Sequence, residues 1–368
     1  MPNVPPLRFP EFSGEWEKCQ LGDITVNFSR RNKEGIDYPM FSVTNDRGFV
    51  PQSEQFEDRE MIGTDIKAYK IIHNGEFAYN PARINVGSIA KYNGVEDCMI
   101  SSLYVCFDVD RKRINSEWFF HLLKTSKMNF YYNLNGEGGV RIYLFYPNFA
   151  RIKSSYPTKA EQQKIADLFN LLTKRIETQI RVIDKLESLI KGIRATVFNN
   201  VQPNTKLGEI ADIYQPQTIA STECNRGQYL VFGANGVIGR YEQYNHEQPQ
   251  ICITCRGNTC GTVNFSEPFS WITGNAMVIN IDNNKEVNKR YLFHYLSTQN
   301  FHHIISGSGQ PQIVRSPLLK FPIYLPSMQT QVKLAEMLDL LRCRLKTEQD
   351  ILEKYQQQKA YLLQNMFI

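Results

Sequence analysis

The chain contains two copies of one helical segment. Residues 157–198 align without a gap on residues 326–367, at a constant difference of 169 in residue number. A shorter repeat, residues 21–24 (LGDI) and 207–210 (LGEI), opens the segment that precedes each copy. The chain therefore reads as a globular unit and a long helix, followed by a second globular unit and a second long helix, which predicts an approximate two-fold axis. Ten aligned positions are identical, including Pro157/Pro326, Gln162/Gln331, Lys164/Lys333, Ala166/Ala335, Leu171/Leu340, Leu172/Leu341 and Arg175/Arg344.

The two copies have the features of long amphipathic helices. Thr158 and Glu161 form a predicted capping box at the start of the first copy, whereas the second copy begins with Ser327 and has Thr330 where the glutamate would be. Apolar residues recur every three to four positions, and about 40 residues give a helix of roughly 60 Å. A helix of that length cannot bury its apolar stripe alone, so we expect an antiparallel coiled coil, with separate packing of each helix on its own domain as the alternative. The residues of this stripe that are predicted to form the subunit interface are Leu172, Ile176, Ile183, Leu186, Leu341, Leu345, Leu352 and Tyr355.

The segments before each helix have the pattern of β-rich domains. Short apolar runs such as Lys70–Ile72 and Gly236–Tyr241 alternate with turn signals, and one short helix is predicted in each segment, at Glu117–Lys127 and around Lys289–Thr298. The predicted class is α+β. The predicted domains are residues 1–155 and 201–325 as globular domains, with residues 156–200 and 326–368 as helical spacers.

Composition narrows the class of protein. The 368 residues carry a net charge of +5, which permits nucleic-acid binding without requiring it. The sequence has neither an apolar run long enough for a membrane span nor the pattern of a signal peptide at its start, so we expect a cytoplasmic protein with reduced thiols. Cys252, Cys255, Cys260 and His246 lie close in sequence, but the spacing lacks the second ligand pair typical of a zinc site and favours buried thiols.

Motifs for catalysis are not found in the sequence. Asn80-Pro81-Ala82-Arg83 shares only its first two residues with the loop that amino-methyltransferases use, since an arginine replaces the stacking aromatic residue. The glycines of residues 233–239 have the wrong spacing for a dinucleotide loop. These patterns favour a binding protein over an enzyme.

Polar loops supply the candidate binding residues. Arginine can contact guanine and asparagine can contact adenine in the major groove, and glycine lets the backbone approach a ligand closely. An ordinary solvated surface is the alternative for each loop. The candidates in the first domain are Arg30, Arg31, Tyr79, Asn80, Arg83, Asn85, Lys91 and Arg141, and those in the second are Asn235, Arg240, Arg256, Asn258, Gln310, Gln312 and Arg315.

Taken together, these segments resemble the specificity subunit of type I restriction–modification systems. Residues 7–23 are similar to the opening of that family, residues 41–48 and 79–87 to one kind of target-recognition domain, and residues 233–276 to another. The two proline-led helices are similar to the helical spacers of the family.

The resemblance implies a subunit without catalytic activity. Each recognition domain would read one half of a split, asymmetric target in double-stranded DNA, and the antiparallel spacers would fix the distance between the halves and dock two methyltransferase subunits. Restriction–translocase subunits would complete the complex. S-adenosylmethionine, ATP and magnesium would belong to those partners, with no cofactor or metal in this chain. The alternatives left open are a fused restriction–methylation enzyme and a coiled-coil adaptor whose two modules bind a ligand other than DNA.

Overall fold

The chain forms two compact units. The computed structural model describes residues 3–55, 66–139, 141–198, 201–220, 224, 226–233, 235–307 and 309–368. Unit 1 comprises Met1–Thr178 together with Ile351–Ile368, and unit 2 comprises Gln179–Asp350. Each unit therefore contains one globular segment and parts of both long helices.

Strands of unit 1 form two four-stranded sheets and a short ribbon. The ribbon pairs β1 with β10, one sheet has the order β2-β9-β6-β7, and the other has the order β4-β3-β8-β5. The strands are β1 (Glu17–Gln20), β2 (Thr25–Phe28), β3 (Met40–Thr44), β4 (Gly48–Pro51), β5 (Lys70–Ile72), β6 (Phe77–Tyr79), β7 (Ile89–Lys91), β8 (Cys98–Ile100), β9 (Val105–Val109) and β10 (Lys153–Tyr156). The short helices are α1 (Gln52–Gln55), α2 (Ser116–Leu123), α3 (Ser126–Asn135) and α4 (Tyr146–Ala150).

Aromatic side chains fill the core of unit 1. Phe77 and Phe107 stack with their ring centroids 5.1 Å apart, and Trp118 is fully buried beside them. Phe367, from the end of the chain, packs on Trp118 with a centroid distance of 6.0 Å. Met366 and Phe367 are therefore part of the core of unit 1.

The described residues of unit 2 repeat this topology with one strand fewer in the second sheet. The orders are β11-β19 for the ribbon, β12-β18-β15-β16 for the first sheet and β14-β13-β17 for the second. In both units the second sheet contains one parallel pair, β3 with β8 and β13 with β17. The long helix α5 (Lys159–Phe198) precedes the elements of unit 2, and α9 (Met328–Asn365) follows them. These elements are β11 (Thr205–Lys206), α6 (Leu207–Ile210), β12 (Asp212–Tyr214), β13 (Tyr229–Gly233), β14 (Gly236–Tyr241), β15 (Ile251–Thr254), β16 (Val263–Phe265), β17 (Trp271–Ile272), β18 (Ala276–Asn280), α7 (Lys289–Leu296), α8 (Arg315–Leu319) and β19 (Pro322–Ile323).

The two repeated glutamines anchor the long helices in the same way. The Gln162 side chain accepts a hydrogen bond from the Asn115 backbone N–H (2.7 Å) and donates to the carbonyls of Pro157 (2.8 Å) and Arg113 (3.0 Å). In unit 2, Gln331 accepts from the Asn288 N–H (2.8 Å) and donates to the carbonyls of Pro326 (2.9 Å) and Glu286 (3.1 Å). Both side chains are buried, so each satisfies three backbone groups that would otherwise lack partners.

Helix capping differs from the sequence prediction in one respect. Thr158 and Ser327 accept hydrogen bonds from the third residue along, each at 3.4 Å, as predicted for caps. The carboxylate of Glu161, however, forms a buried ion pair with Arg8 (2.7 Å). Glu161 therefore holds the N-terminal segment against the helix through the ion pair of its carboxylate with Arg8.

The long helices run antiparallel within each unit. In unit 1, the ring centroids of Phe169 and Phe367 lie 5.7 Å apart, and Arg175 donates to the Tyr355 hydroxyl (3.0 Å). Residue numbers therefore rise along α5 in the direction in which they fall along α9. In unit 2, Gln179 donates to the Glu348 backbone carbonyl (3.0 Å). The expected antiparallel pairing is therefore confirmed within each unit.

The seam between the helices contains one buried glutamine that the apolar pattern did not predict. Gln179 is 7% exposed, whereas the neighbouring Ile180 is 40% exposed. Gln179 continues the alternating three- and four-residue spacing of the buried face, and its amide also bonds to the Glu348 carboxylate. All eight residues predicted for the subunit interface are buried or half-buried in this chain. They are Leu172, Ile176, Ile183, Leu186, Leu341, Leu345, Leu352 and Tyr355.

Candidate nucleic-acid interface

The loop between β6 and β7 presents arginine to solvent in unit 1. The Asn80 N–H donates to the Ser88 carbonyl (3.0 Å) and closes the loop, and the Asn80 side chain accepts from the Ala82 N–H (3.0 Å). Gly87 adopts a φ of +103°, which favours glycine. This turn leaves the side chain of Arg83 exposed at the tip.

Unit 2 builds the same loop from a different sequence. The Thr254 N–H donates to the Thr262 carbonyl (2.8 Å), so residues 254–262 form a closed loop of the same length as residues 80–88. Gly261, with a φ of +93°, occupies the place of Gly87. Arg256 and Asn258 are exposed on this loop. The two loops therefore share a backbone frame and differ in the groups that they expose.

A second turn lies beside each of these loops. Gly138 (φ +110°) and Gly307 (φ +95°) are 169 residues apart and form the same tight turn, because a Cβ at either position would lie 2.4 Å from a backbone carbonyl oxygen. In unit 1 the chain after the turn returns to the first loop through a hydrogen bond from the Leu144 N–H to the Pro81 carbonyl (2.9 Å). In unit 2 the corresponding bond joins the Ile313 N–H to the Cys255 carbonyl (3.0 Å).

These paired loops bring several predicted residues together. Arg141 is exposed on the second turn of unit 1, next to the loop that carries Arg83. In unit 2, Gln312 forms a backbone bridge with Arg256, and Gln310 is exposed on the same turn. Exposed guanidinium and amide groups on adjacent loops provide hydrogen-bond donors and acceptors for base edges and phosphates.

Four predicted residues remain exposed without joining those loops through any contact described. Arg31 lies at a backbone bridge to Lys70, and Asn235 lies in the turn between β13 and β14. Arg240 donates to the Gln228 carbonyl (2.8 Å), which lies before the start of β13. Arg315, the first residue of α8, donates to the Ile213 carbonyl (2.6 Å).

The structure corrects three of the predicted contacts. Tyr79 is fully buried among the rings of the unit 1 core, and burial raises the pKa of its hydroxyl. Arg30 forms two hydrogen bonds with the Glu76 carboxylate (2.9 and 3.0 Å) and lies over the Phe28 ring. The ammonium of Lys91 is paired with Glu117. Tyr79 precedes a polar loop in the sequence, but its side chain points into the core. Arg30 and Lys91 have carboxylate partners within the fold.

Two contributors to the unit 1 surface were not predicted. The Lys124 ammonium donates to the Gly87 carbonyl (2.8 Å) from beneath the first loop, and burial lowers the pKa of this amine to about 8. The tip of the β3–β4 hairpin also lies there, since a Cβ on Gly87 would be 3.2 Å from the Asn45 carbonyl oxygen. Asn85, a predicted contact, is held at the side of the loop by Asn133, whose side-chain oxygen accepts from its amide (3.1 Å).

The cysteine cluster has no metal-site geometry. Cys252 and Cys255 are both buried, and their side chains belong to two different apolar clusters. Burial raises the pKa of the Cys252 thiol to about 12. His246 instead shares a hydrogen bond with the Tyr214 hydroxyl (2.8 Å). Across the described part of the chain, no three His, Cys, Asp or Glu side chains converge to hold a metal ion. Nor does any described helix have the length and apolar character needed to cross a membrane.

Fold and surface together define a duplicated α+β binding protein. Each copy presents exposed arginine and amide side chains on two adjacent loops, and each is built around a pair of antiparallel helix segments. The chain belongs to the type I restriction modification DNA specificity domain family, whose family model matches residues 13–188 and 201–357.

Individual relatives carry the same description. The chain is 24% identical over 266 residues to type I specificity subunit S.MpnORF507P of Mycoplasma pneumoniae, covering 68% of this chain and 69% of that protein. It is 28% identical over 111 residues to the Escherichia coli type I restriction enzyme EcoprrI specificity subunit, covering 30% of this chain. The chain spans only 27% and 36% of the length of two of the curated relatives that it matches.

Solved structures confirm the fold over the whole chain. The crystal structure of a type I restriction–modification S subunit from M. genitalium has a TM-score of 0.70 at 15% identity and covers 99% of both chains. A second structure, from a study of complex assembly and conformational transition of the type I R-M system, has a TM-score of 0.58 at 15% identity and covers 97% of this chain and 98% of that one.

Proposed function

We propose that this chain is the DNA-recognition subunit of a type I restriction–modification complex, in which each unit reads one half of a split, asymmetric target. One observation carries the proposal: two copies of the same backbone frame expose different polar side chains at equivalent loops. Arg83 and Arg141 occupy these loops in unit 1, and Arg256, Gln310 and Gln312 occupy them in unit 2. Different side chains on one frame are what reading two unlike half-sites requires.

Catalysis belongs to partner subunits under this proposal. Methyltransferase subunits would methylate adenine with S-adenosylmethionine, and restriction subunits would use ATP and magnesium to translocate and cleave DNA. The role of this chain is to position those subunits on the target. Its contribution to the reaction is sequence choice, which comes from hydrogen bonds to base edges, and orientation, which comes from contacts to phosphates.

Methylome sequencing tests the proposal directly. Cells carrying this chain and its methyltransferase are expected to methylate adenine in a two-part motif separated by a fixed number of unspecified bases. A continuous motif, or no motif that depends on this chain, would contradict the proposal.

Exchange of one unit sharpens the test. Replacing residues 201–325 by the corresponding segment of another specificity subunit is expected to change one half of the motif and leave the other half intact. A change in both halves would show that the units do not read DNA independently.

A further inference from the structure

The chain that leaves the second turn follows the same path in both units. In unit 1 the backbone of Tyr143 exchanges two hydrogen bonds with that of Glu137 (2.8 and 2.9 Å). In unit 2 the backbone of Gln312 exchanges two with that of Ser306 (2.8 and 2.9 Å). The residue that follows each of these bonds to the first loop, as described above. We call these stretches the exit segments; they are residues 141–145 in unit 1 and residues 310–314 in unit 2.

Exposure alternates along each exit segment. Successive side chains of an extended backbone point to opposite sides, and the side chains of Leu144 and Ile313 point into the core of their units. The residues on either side of these two, and the residue that begins each segment, are exposed. The exposed members are Arg141, Tyr143 and Phe145 in unit 1 and Gln310, Gln312 and Val314 in unit 2. Sequence patterns predicted the arginine and the two glutamines as binding residues but gave no sign of the other three.

Unit 1 exposes an aromatic pair in its exit segment. Tyr143 is 39% exposed and Phe145 is 49% exposed, and their rings stack with centroids 6.3 Å apart and planes 15° from parallel. Val86 is also exposed on the first loop; it follows Arg83 by three residues in a 3-10 turn, so the two side chains lie on one side of that turn. Large apolar side chains therefore lie in water beside the arginines of this surface, which favours a ligand that carries apolar groups.

Double-stranded DNA offers one apolar group on its base edges. The faces of the bases are stacked inside the duplex, whereas the 5-methyl group of thymine projects into the major groove. Aromatic and aliphatic side chains can contact this methyl group while a neighbouring arginine bonds to guanine or to a phosphate. A stacked ring pair that continues directly from an exposed arginine therefore fits a base edge that includes thymine.

We propose that Tyr143 and Phe145 recognise thymine in the half-site of unit 1 through contact with its 5-methyl group. This inference rests on the proposed function, and it adds two specificity-determining residues with a defined chemical preference. The equivalent positions of unit 2 hold Gln312 and Val314. The amide of Gln312 can bond to a base edge at the backbone position where unit 1 presents a ring, so the two units differ in the base chemistry that they favour there.

Binding of DNA that carries deoxyuridine in place of thymine tests the proposal. Deoxyuridine keeps the hydrogen-bonding groups of thymine and lacks only the methyl group. The protein is the complex of the full chain with its methyltransferase subunit, and each thymine in the half-site of unit 1 is replaced in turn. That half-site is the one that an exchange of residues 201–325 leaves intact. Replacement of the contacted thymine is expected to weaken binding about four-fold, as the loss of one buried methyl group predicts.

Substitution of the two rings should remove this discrimination. The double variant Tyr143→Ser, Phe145→Ser is expected to bind the thymine and deoxyuridine targets equally. Phe145 is the residue before the first turn of α4, a position where serine is favoured, so thermal unfolding of the variant should match that of the unmodified chain. Deoxyuridine in the half-site of unit 2 should have the same effect on the variant as on the unmodified chain.

A matched control separates the exit segment from exposed aromatic rings in general. Phe130 is 62% exposed on α3 of unit 1 and lies outside the exit segment. The variant Phe130→Ser is expected to keep the difference of about four-fold between the thymine and deoxyuridine targets.

Several results would overturn the thymine contact. A half-site of unit 1 without thymine would do so, as would equal binding of the two targets by the unmodified chain. A difference that persists in the double variant, or that is lost in Phe130→Ser, would also contradict it. The proposed function survives each of these results, because the two-part target is still bound. A complex with no preference for any two-part target would instead contradict the proposed function, and the thymine contact with it.

Discussion

The two units differ at their exposed loops, in the second sheet and in the helix α3 of unit 1, and agree in the ribbon, the first sheet and the anchors of the long helices. The chain that follows α2 or α7 makes the same turn, the same ribbon and the same anchoring bonds in both units, even where the residues differ. The Leu21 N–H donates to the Ile152 carbonyl and the Leu207 N–H to the Phe321 carbonyl, each at 2.9 Å. A shared backbone with different exposed loops is the pattern expected when one scaffold is kept and only its ligand-facing groups change.

One buried pair shows a difference inside the frame as well. His121 shares a hydrogen bond with the Asn170 side chain (3.2 Å), and His294 shares one with the Asp339 carboxylate (2.8 Å). Asp339 also binds the Arg290 guanidinium (2.8 Å), so unit 2 has an ionic network where unit 1 has a neutral contact. The frame thus tolerates a change of charge when a second residue compensates for it.

The largest effect is expected from removing the glutamine anchors. Gln162→Ala and Gln331→Ala each leave three backbone groups without their partner, and each is expected to lower the free energy of unfolding of its unit by about 4 kcal/mol. Urea denaturation measures this free energy of unfolding, with the fluorescence of Trp16 and Trp118 reporting on unit 1 and that of Trp271 on unit 2. Gln163→Ala, at an exposed neighbour, should change stability by less than about 1 kcal/mol. Unequal losses of unfolding free energy from the two glutamine substitutions would show that the two anchors are not equivalent.

The buried histidines predict a shared loss of stability in acid. Burial lowers the pKa of both His121 and His294 to about 4, below the ordinary value of 6.5. The unfolded chain therefore takes up protons as the pH falls below about 6.5 while the folded chain resists them, so stability is complete above that pH and is lost down to about pH 4. Each histidine is expected to contribute up to about 3 kcal/mol to this loss. Urea denaturation gives the free energy of unfolding at pH 7 and at pH 4.5. The difference between the two values should be smaller for His121→Gln and for His294→Gln than for the unmodified chain. An unchanged difference would exclude the histidines as the source of the acid sensitivity.

Alanine at the turn glycines should weaken each unit separately. Gly138→Ala and Gly307→Ala place a Cβ against a carbonyl oxygen at positive φ, and each is expected to cost about 2 kcal/mol. Gly139→Ala and Gly309→Ala are matched controls, because nothing lies within 4 Å of a Cβ there and neither has positive φ. DNA binding to targets altered in one half-site should locate the defect in the half read by the mutated unit.

The smallest effects are expected at the loop arginines. Arg83→Ala and Arg256→Ala are each expected to cost about 1 to 2 kcal/mol in binding and to relax base choice in one half-site only. Binding to a panel of targets with single base changes measures this. Lys112→Ala, at an exposed lysine in a turn, should leave base choice unchanged. Relaxation in both half-sites by one arginine variant would contradict separate reading.

Much of the frame could be predicted because it depends on local patterns. Gly236–Tyr241 matches its predicted strand, and Lys289–Leu296 is two residues shorter than the predicted helix. The helix predicted at Glu117–Lys127 is instead two helices, because Thr125 caps a second one by accepting from the Met128 N–H (3.2 Å). The capping side chain of Thr125 sets the boundary between the two helices, and the apolar periodicity gives no sign of that boundary.

Site residues were harder to predict because exposure depends on distant partners. The sequence shows Arg30 and Arg83 as equal candidates, but Glu76, 46 residues away from Arg30, occupies its guanidinium. Val140 and Ser308, which belong to the glycine-rich segments 136–141 and 307–312, lie outside the described residues. The glycine turns lie beside the first loops because the Leu144 and Ile313 N–H groups bond to those loops, and the sequence gives no sign of these long-range bonds.

The packing of Phe367 inside unit 1 has a consequence for biosynthesis. Phe367 packs on Trp118, and the Leu7 N–H donates to the Asn365 carbonyl (2.9 Å), so the first unit to leave the ribosome lacks part of its core until Phe367 has been added. Unit 2 is continuous in sequence and can fold earlier, although its residues are made later than most of those in unit 1. A stop codon introduced just before residue 365 would therefore damage the core of unit 1.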